Sequence, residues 1–182
     1  MRVRPWMWGA AASALGLFAF LSLGGGGQRL AASLRVLPPS RSGFIRLLHG
    51  EVGKDDGTVY WAEALDRMVD VPKKDWCGAF VLWGLRKYFR VPWTWESGKA
   101  FFYGPDGRLR LPQVTSPQPG DVGYADNGFN HIGVIESVNA DGTITSIDGN
   151  SWQGKVKRNV RPASFWAAFY SVAPLLRGEV PA

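Results

Sequence analysis

The chain has 182 residues, 46% hydrophobic and 20% charged, with 21 Lys and Arg against 15 Asp and Glu and a formal net charge of +6. This composition excludes intrinsic disorder and suffices for one domain with its own core. A single cysteine, Cys77, and two histidines, His49 and His131, exclude an intramolecular disulfide framework and a Cys₂ or Cys₄ zinc site, so no metal or other cofactor is expected.

The charge excess sits at the amino end. Arg2, Arg4, Arg29, Arg35, Arg41 and Arg46 are the only charged residues before Glu51, and the 15 basic residues that follow are balanced by 15 acidic ones. The body is therefore neutral and offers no basic face, so no nucleic-acid partner is expected. Residues 5–28 carry no charge, and Trp6–Leu23 is an apolar run of 18 residues. That is short for a membrane span and long for the core of a signal peptide. Residues 1–27 thus read as a hydrophobic helix that is either a cleaved signal or a membrane anchor. Both place the protein outside the cytoplasm, the anchor through contact with the membrane. Gly24–Gly27 end that helix. Residues 28–43 read as a linker, because Pro38-Pro39-Ser40 and Ser42-Gly43 resist regular structure. The domain then covers 44–177, with 178–182 as a tail.

Within the domain, Val59, Ala62, Leu65 and Met68 or Val69 recur at helical spacing and predict a helix over 59–69. A second helix runs from Asp75 or Trp76 to Phe89, with Asp75 suited to cap it and Val91-Pro92 to stop it. After a turn at Pro117–Gly120 come three strands, Asp121–Ala125, His131–Val138 and Thr143–Asp148, and Phe165–Val172 adds another. Asn139-Ala140-Asp141-Gly142 joins the middle pair as a hairpin. Helices first and strands afterwards predict an α+β fold with an antiparallel sheet.

Cys77 falls at the start of the second helix, where the helix dipole favours a thiolate. Gly78 and Ala79 beside it leave room for a substrate backbone. His131 opens a strand. If Val138 pairs with Thr143, Gly133 faces Asp148 and His131 faces Asn150, and His131, Asp148 and Asn150 project to one side of the sheet. A base needs such a neighbour to fix its tautomer and orientation. A helix-start cysteine, a strand histidine and a polar orienting group make the layout of a thiol hydrolase.

Four segments also resemble a known family. Asp75-Trp76-Cys77-Gly78-Ala79-Phe80-Val81, Gln118-Pro119-Gly120-Asp121-Val122, His131–Val138 and Asp141–Ser151, in this order and spacing, are similar to the CHAP-domain cell-wall hydrolases. These are papain-like enzymes of the NlpC/P60 superfamily that cut peptidoglycan. The resemblance implies a papain-like fold, with Cys77 as nucleophile, His131 as general base and Asp148 at the third, acidic position, which in that family is usually Glu. Asn150 matches a frequent amide two residues on, and which of Asp148 and Asn150 touches His131 stays open. Some members bind calcium near the cysteine. No Asp-x-Asp-x-Asp run occurs here, so none is expected.

The implied activity is a cysteine amidase or endopeptidase acting on peptidoglycan, in growth, lysis or attack. Another papain-like acyl-transfer enzyme or thiol protease, and a silent wall-binding domain, are the alternatives. Among the nine tryptophans, Trp61, Trp83 and Trp166 fall on apolar patterns and read as core. Trp76, Trp93, Trp95 and Trp152 flank the cleft or its loops, and Trp76 and Trp152 are the substrate-binding candidates. His49 has no evident partner, and the basic run Lys155, Lys157, Arg158 and Arg161 reads as a solvated strand face.

Overall fold

The computed structural model describes residues 38–65, 75–95, 102–103, 109–126, 128 and 130–181. The hydrophobic segment 1–27 and most of the linker lie outside these residues. Among the described residues no helix is long and apolar enough to cross a membrane. Three helices come first: α1 (Arg41–His49), α2 (Gly57–Leu65) and α3 (Cys77–Phe89). Six strands follow: β1 (Gln113–Val114), β2 (Val122–Asp126), β3 (Asn130–Val138), β4 (Thr143–Ser151), β5 (Lys155–Pro162) and β6 (Ala168–Tyr170), with a short α4 (Ala173–Leu176) at the end. The strands form one antiparallel sheet in the order β1-β6-β2-β3-β4-β5. The expected α+β class is the observed one.

The domain begins earlier than the composition indicates. Ser40 caps α1, its hydroxyl accepting from the Gly43 amide at 3.1 Å. Arg41 then pairs at 2.7 Å with Asp121, whose side chain is only 1% exposed. Asp121 also accepts from the amides of Gln118 (2.8 Å) and Val172 (3.1 Å) and from the Ser171 hydroxyl (3.1 Å). Residues 41–43 are therefore helix, not linker. The carboxyl end is tied in as well, because Trp93 Nε1 donates to the Pro181 carbonyl at 2.8 Å. Trp93 is a core residue, not a cleft residue.

In α2 the buried positions are Gly57, Tyr60 and Ala64, while Val59 is 54% exposed. The inner face is thus rotated from the expected Val59, Ala62 and Leu65. Tyr60 decides it: its ring stacks on Trp76 at 5.1 Å and its hydroxyl donates to Glu51 at 2.8 Å, a larger payload than a valine supplies. Met68 and Val69 lie outside the described residues.

Every residue of α3 from Cys77 to Leu85 is buried, as in a helix covered on all sides. Its cap position is Trp76, which makes no side-chain capping bond. Asp75, expected as the cap, is instead a left-handed residue with φ 53°. The helix stops at Phe89 because Arg90 turns left-handed, φ 58°, ahead of Pro92.

The β3–β4 hairpin contains a compensated error of register. At the turn Val138 pairs with Ile144 and Ser137 with Thr145, one residue away from the expected Val138–Thr143 pair. The register then shifts at Glu136, and Ile135 pairs with Ser146 and Val134 with Ile147. Those are the pairs the expected register gives at that depth. A β-bulge thus restores at the site what the turn had displaced. The predicted strand over 165–172 resolves into a 3₁₀ turn, Ala163–Phe165, followed by β6.

The sheet has two apolar faces. Val122, Tyr124, Ile132, Val134, Ile147 and Tyr170 join the helices in the main core. Ala125, Ile135, Ile144 and Trp166 form a second cluster, with Phe165 and Phe169 packed on it. Because side chains alternate along a strand, His131 and Gly133 point toward the second cluster. The amino-terminal boundary is directly testable. A chain beginning at Pro38 is expected to keep full stability. One beginning at Phe44 loses the Ser40 cap and leaves Asp121 buried without its cation, at a cost of about 2 kcal/mol. Thermal denaturation should show that as a fall of roughly 4–8 °C; equal melting temperatures would refute the Arg41–Asp121 anchor.

Candidate active site

The start of α3 and the start of β3 meet at one cleft of about 470 Å³, lined among others by Cys77, Gly78, His131, Ile132 and Asn150. Cys77 reaches it from the first turn of α3. The first bond of that helix is Phe80 N to Trp76 O at 3.0 Å, so the amides of Cys77, Gly78 and Ala79 precede the helical ladder and have no partner within it. They are the natural donors to a developing oxyanion. Gly78 admits the Trp95 ring, which comes within 2.5 Å of where a Cβ would stand.

His131 is 6% exposed and lies in the same wall. Its Nε2 is 3.2 Å from Oδ2 of Asp148, whose side chain has no exposure. The ring also interacts with the Cys77 thiol. Asp148 takes Nε2, which leaves Nδ1 as the nitrogen that serves the sulfur. Burial pulls the imidazole pKa down, but the interaction with the Asp148 carboxylate, the contact with Cys77 and their charges outweigh it and push it up to about 9. Burial likewise pushes the Asp148 carboxyl up. Its bonds and charge interactions with His131 and Arg161 prevail and hold it below the usual carboxylate range.

Asp148 fits because Gly133 stands beside it on β3. A Cβ on Gly133 would collide with Oδ1 of Asp148. That oxygen has no hydrogen-bond partner among the described residues. The other, Oδ2, is crowded: Asn159 Nδ2 donates to it at 2.8 Å, and Arg161 Nη1 donates to it as well.

Asn150 lines the cleft but makes no hydrogen bond to His131 among the described residues. It is left-handed, φ 49°, at the irregularity between Asp148 and Ser151 where the β4–β5 register shifts. That turn takes it out of the alternation that would put it opposite the imidazole. The substrate-binding candidates also separate. Trp76 is 2% exposed, between Tyr60 and Phe80, and belongs to the core. Trp152 is 75% exposed on a 3₁₀ turn just past Asn150.

Sequence reasoning missed two things here. Trp61, expected in the core, lines the cleft with its ring edge-on to Trp95 at 4.9 Å. Arg161, expected on a solvated face, is bonded to Asp148. The signal for Arg161 was period two: Asn159 and Arg161 are two apart on β5 and share a face. His49, which had no evident partner, meets Glu136 at 2.9 Å, and Arg158 grips the same carboxylate. No group of three or more His, Cys, Asp or Glu among the described residues is placed to hold a metal ion.

Residues 69–150 match the family model of the CHAP domain. The match spans 82 of the 182 residues and is consistent with a CHAP-domain protein. The matched span holds Cys77, His131, Asp148 and Asn150 and ends before β5. No curated protein and no solved structure matches the chain. CHAP domains are usually hydrolytic amidases or peptidases connected with peptidoglycan, and the helices and antiparallel sheet described above are compatible with that fold.

Two outcomes are expected of this geometry. Gly133→Ala should fold yet lose most Cys77 reactivity toward iodoacetamide, because the new methyl displaces Asp148 from the imidazole; unchanged alkylation would contradict the contact. Asp148→Asn removes the leading group that raises the His131 pKa. The imidazolium, kept in the native chain until about pH 9, should then be lost at lower pH, and the basic limb of the alkylation profile should move down by about one unit or more. The sign carries over to stability. A raised pKa stabilises the fold fully below the ordinary value of 6.5 and ceases to do so as pH rises through about 9. Melting temperature should fall across that window, and less steeply in Asp148→Asn.

Proposed function

We propose that this CHAP domain is a cysteine amidase or endopeptidase that hydrolyses amide bonds in the peptide part of peptidoglycan. The observation that carries the reading is that Cys77 at the head of α3 and His131 at the head of β3 line one cleft, with His131 held by a buried carboxylate. We assign Cys77 as nucleophile, His131 as general base and acid, and Asp148 as the group that orients and charges the imidazole. Asn150 is then a cleft residue rather than the orienting group.

The chemistry follows from those roles. Cys77 gives its proton to His131 Nδ1, and the sulfur attacks the amide carbonyl carbon. The oxyanion is held by amides at the start of α3. The C–N bond breaks as His131 returns the proton to the leaving amine, which leaves a thioester. A water, deprotonated by His131, attacks the thioester carbon, and the acid departs with the Cys77 thiol restored. Trp152, exposed beside the cleft residue Asn150, is a stacking surface for sugar or peptide. The apolar run Trp6–Leu23 supports export, by signal or anchor, to the compartment where that substrate lies.

Mass spectrometry of soluble wall fragments incubated with the protein is the deciding experiment. Each cleaved amide should yield two products whose masses sum to substrate plus one water, and their identity names the bond. Cys77→Ala should abolish turnover with the melting temperature unchanged, and Asp148→Ala should cost at least about tenfold more in kcat than Asn150→Ala, or about 1.4 kcal/mol. Turnover of protein substrates alone, or full turnover in Cys77→Ala, would overturn the assignment.

A further inference from the structure

Arg161 lies beyond the residues matched to the CHAP domain, on the edge strand β5, yet its side chain is only 18% exposed. Three groups fix its guanidinium. Nη1 donates to Ser146 Oγ at 3.0 Å, and the carbon at the centre of the fork lies 4.6 Å over the Phe165 ring and 5.8 Å from that of Trp166. Held this way, Nη1 also donates to Oδ2 of Asp148, the oxygen facing His131. A planar, permanently charged fork that stacks on aromatic rings suits this task better than a lysine ammonium.

The charges around the imidazole come from four elements: Cys77 on α3, His131 on β3, Asp148 on β4 and Arg161 on β5. Asn159 and Ser146 are neutral, and Asp75 and Tyr124 line the same cleft. When Cys77 is a thiolate and His131 an imidazolium, the four charges cancel. Without the guanidinium, the same state would carry one net negative charge around a fully buried carboxylate. Burial of uncompensated charge is costly, so the cluster would take up a proton more readily. The thiolate is where it would go.

We propose that Arg161 is a positioning residue of this site, holding the Asp148 carboxylate against His131 and supplying the fourth charge that allows the thiolate–imidazolium pair to form at neutral pH. This rests on the reading of Cys77 and His131 as the reacting pair. It does not depend on which substrate is cut.

The test is the pH profile of Cys77 alkylation by iodoacetamide in the full chain, with no wall substrate present. Arg161→Met removes the charge and the hydrogen bonds, Arg161→Gln keeps a donor without charge, and Arg161→Lys keeps the charge without the fork. In Arg161→Met and Arg161→Gln both limbs should move to higher pH by about one unit, so that alkylation on the acidic limb is about tenfold slower than in the native chain. Arg161→Lys should recover most of that shift. Limbs that stay in place in Arg161→Met, or in Arg161→Gln should Arg161→Met not fold, would overturn the proposal. So would an Arg161→Lys profile no closer to native than Arg161→Gln. A purely structural role would lower the melting temperature and leave both limbs where they are. Since no peptidoglycan enters the measurement, an error in the substrate class leaves this test intact.

Discussion

A carboxylate with no solvent exposure sits on β4, one strand in from the edge of the sheet, and the geometry around Cys77 depends on keeping it charged. Asp148 meets that requirement through three contacts on one oxygen: an ion pair with His131 Nε2 and hydrogen bonds from Asn159 Nδ2 and Arg161 Nη1. Each comes from a strand flanking β4. The interaction therefore couples the sheet's pairing to the chemistry. β3 must deliver His131 and β5 must deliver Asn159 and Arg161 in the same register, or the buried charge loses its compensation. In return the charge holds the imidazole in one orientation, with the other ring nitrogen toward the sulfur.

The two-cluster core explains why the cleft lies where it does. The helix-facing side of the sheet is closed by α3, whose burial on all sides leaves only its first turn near an opening. The other side is closed by a smaller cluster around Trp166. His131, the second residue of β3, points away from the helices by alternation, yet stands at the end of the sheet where α3 begins. Cys77 and His131 thus join the edges of two cores, and neither has to cross a packed interior. Trp61 and Trp95 wall this junction and place apolar surface beside the thiol.

Much of this was legible in the residues, for identifiable reasons. Cys77, His131 and Asp148 could be brought together because period-two and helical-start rules act locally and the Asp141-Gly142 turn joins the strands that carry the last two. The register survived an error at that turn only because the bulge at Glu136 adds one residue, a feature without a sequence signal of its own. What stayed illegible was decided by tertiary packing. Tyr60 rotated α2 by finding Trp76 and Glu51. Arg41 drew the end of the supposed linker into a helix by finding Asp121, 80 residues away in sequence. Arg161 looked like one more exposed cation in a basic run, because the period-two face it shares with Asn159 does not by itself reveal a buried carboxylate on β4.

Where the resemblance to the CHAP-domain hydrolases implies a glutamate, this chain has Asp148, one methylene shorter. Three local features make up that reach. Gly133 has no side chain, so the β4 carboxylate settles directly against β3. The left-handed turn at Asn150 removes the neighbouring amide from competition for the imidazole. The guanidinium of Arg161, pinned by Ser146 and the Phe165 ring, holds the short carboxylate from the far side. An aspartate has only two side-chain torsions to freeze, so once these contacts exist less conformational entropy is lost in fixing it than for glutamate. The shorter residue then serves as a preorganised partner for His131 because the strand on each side of it has been shaped to meet it.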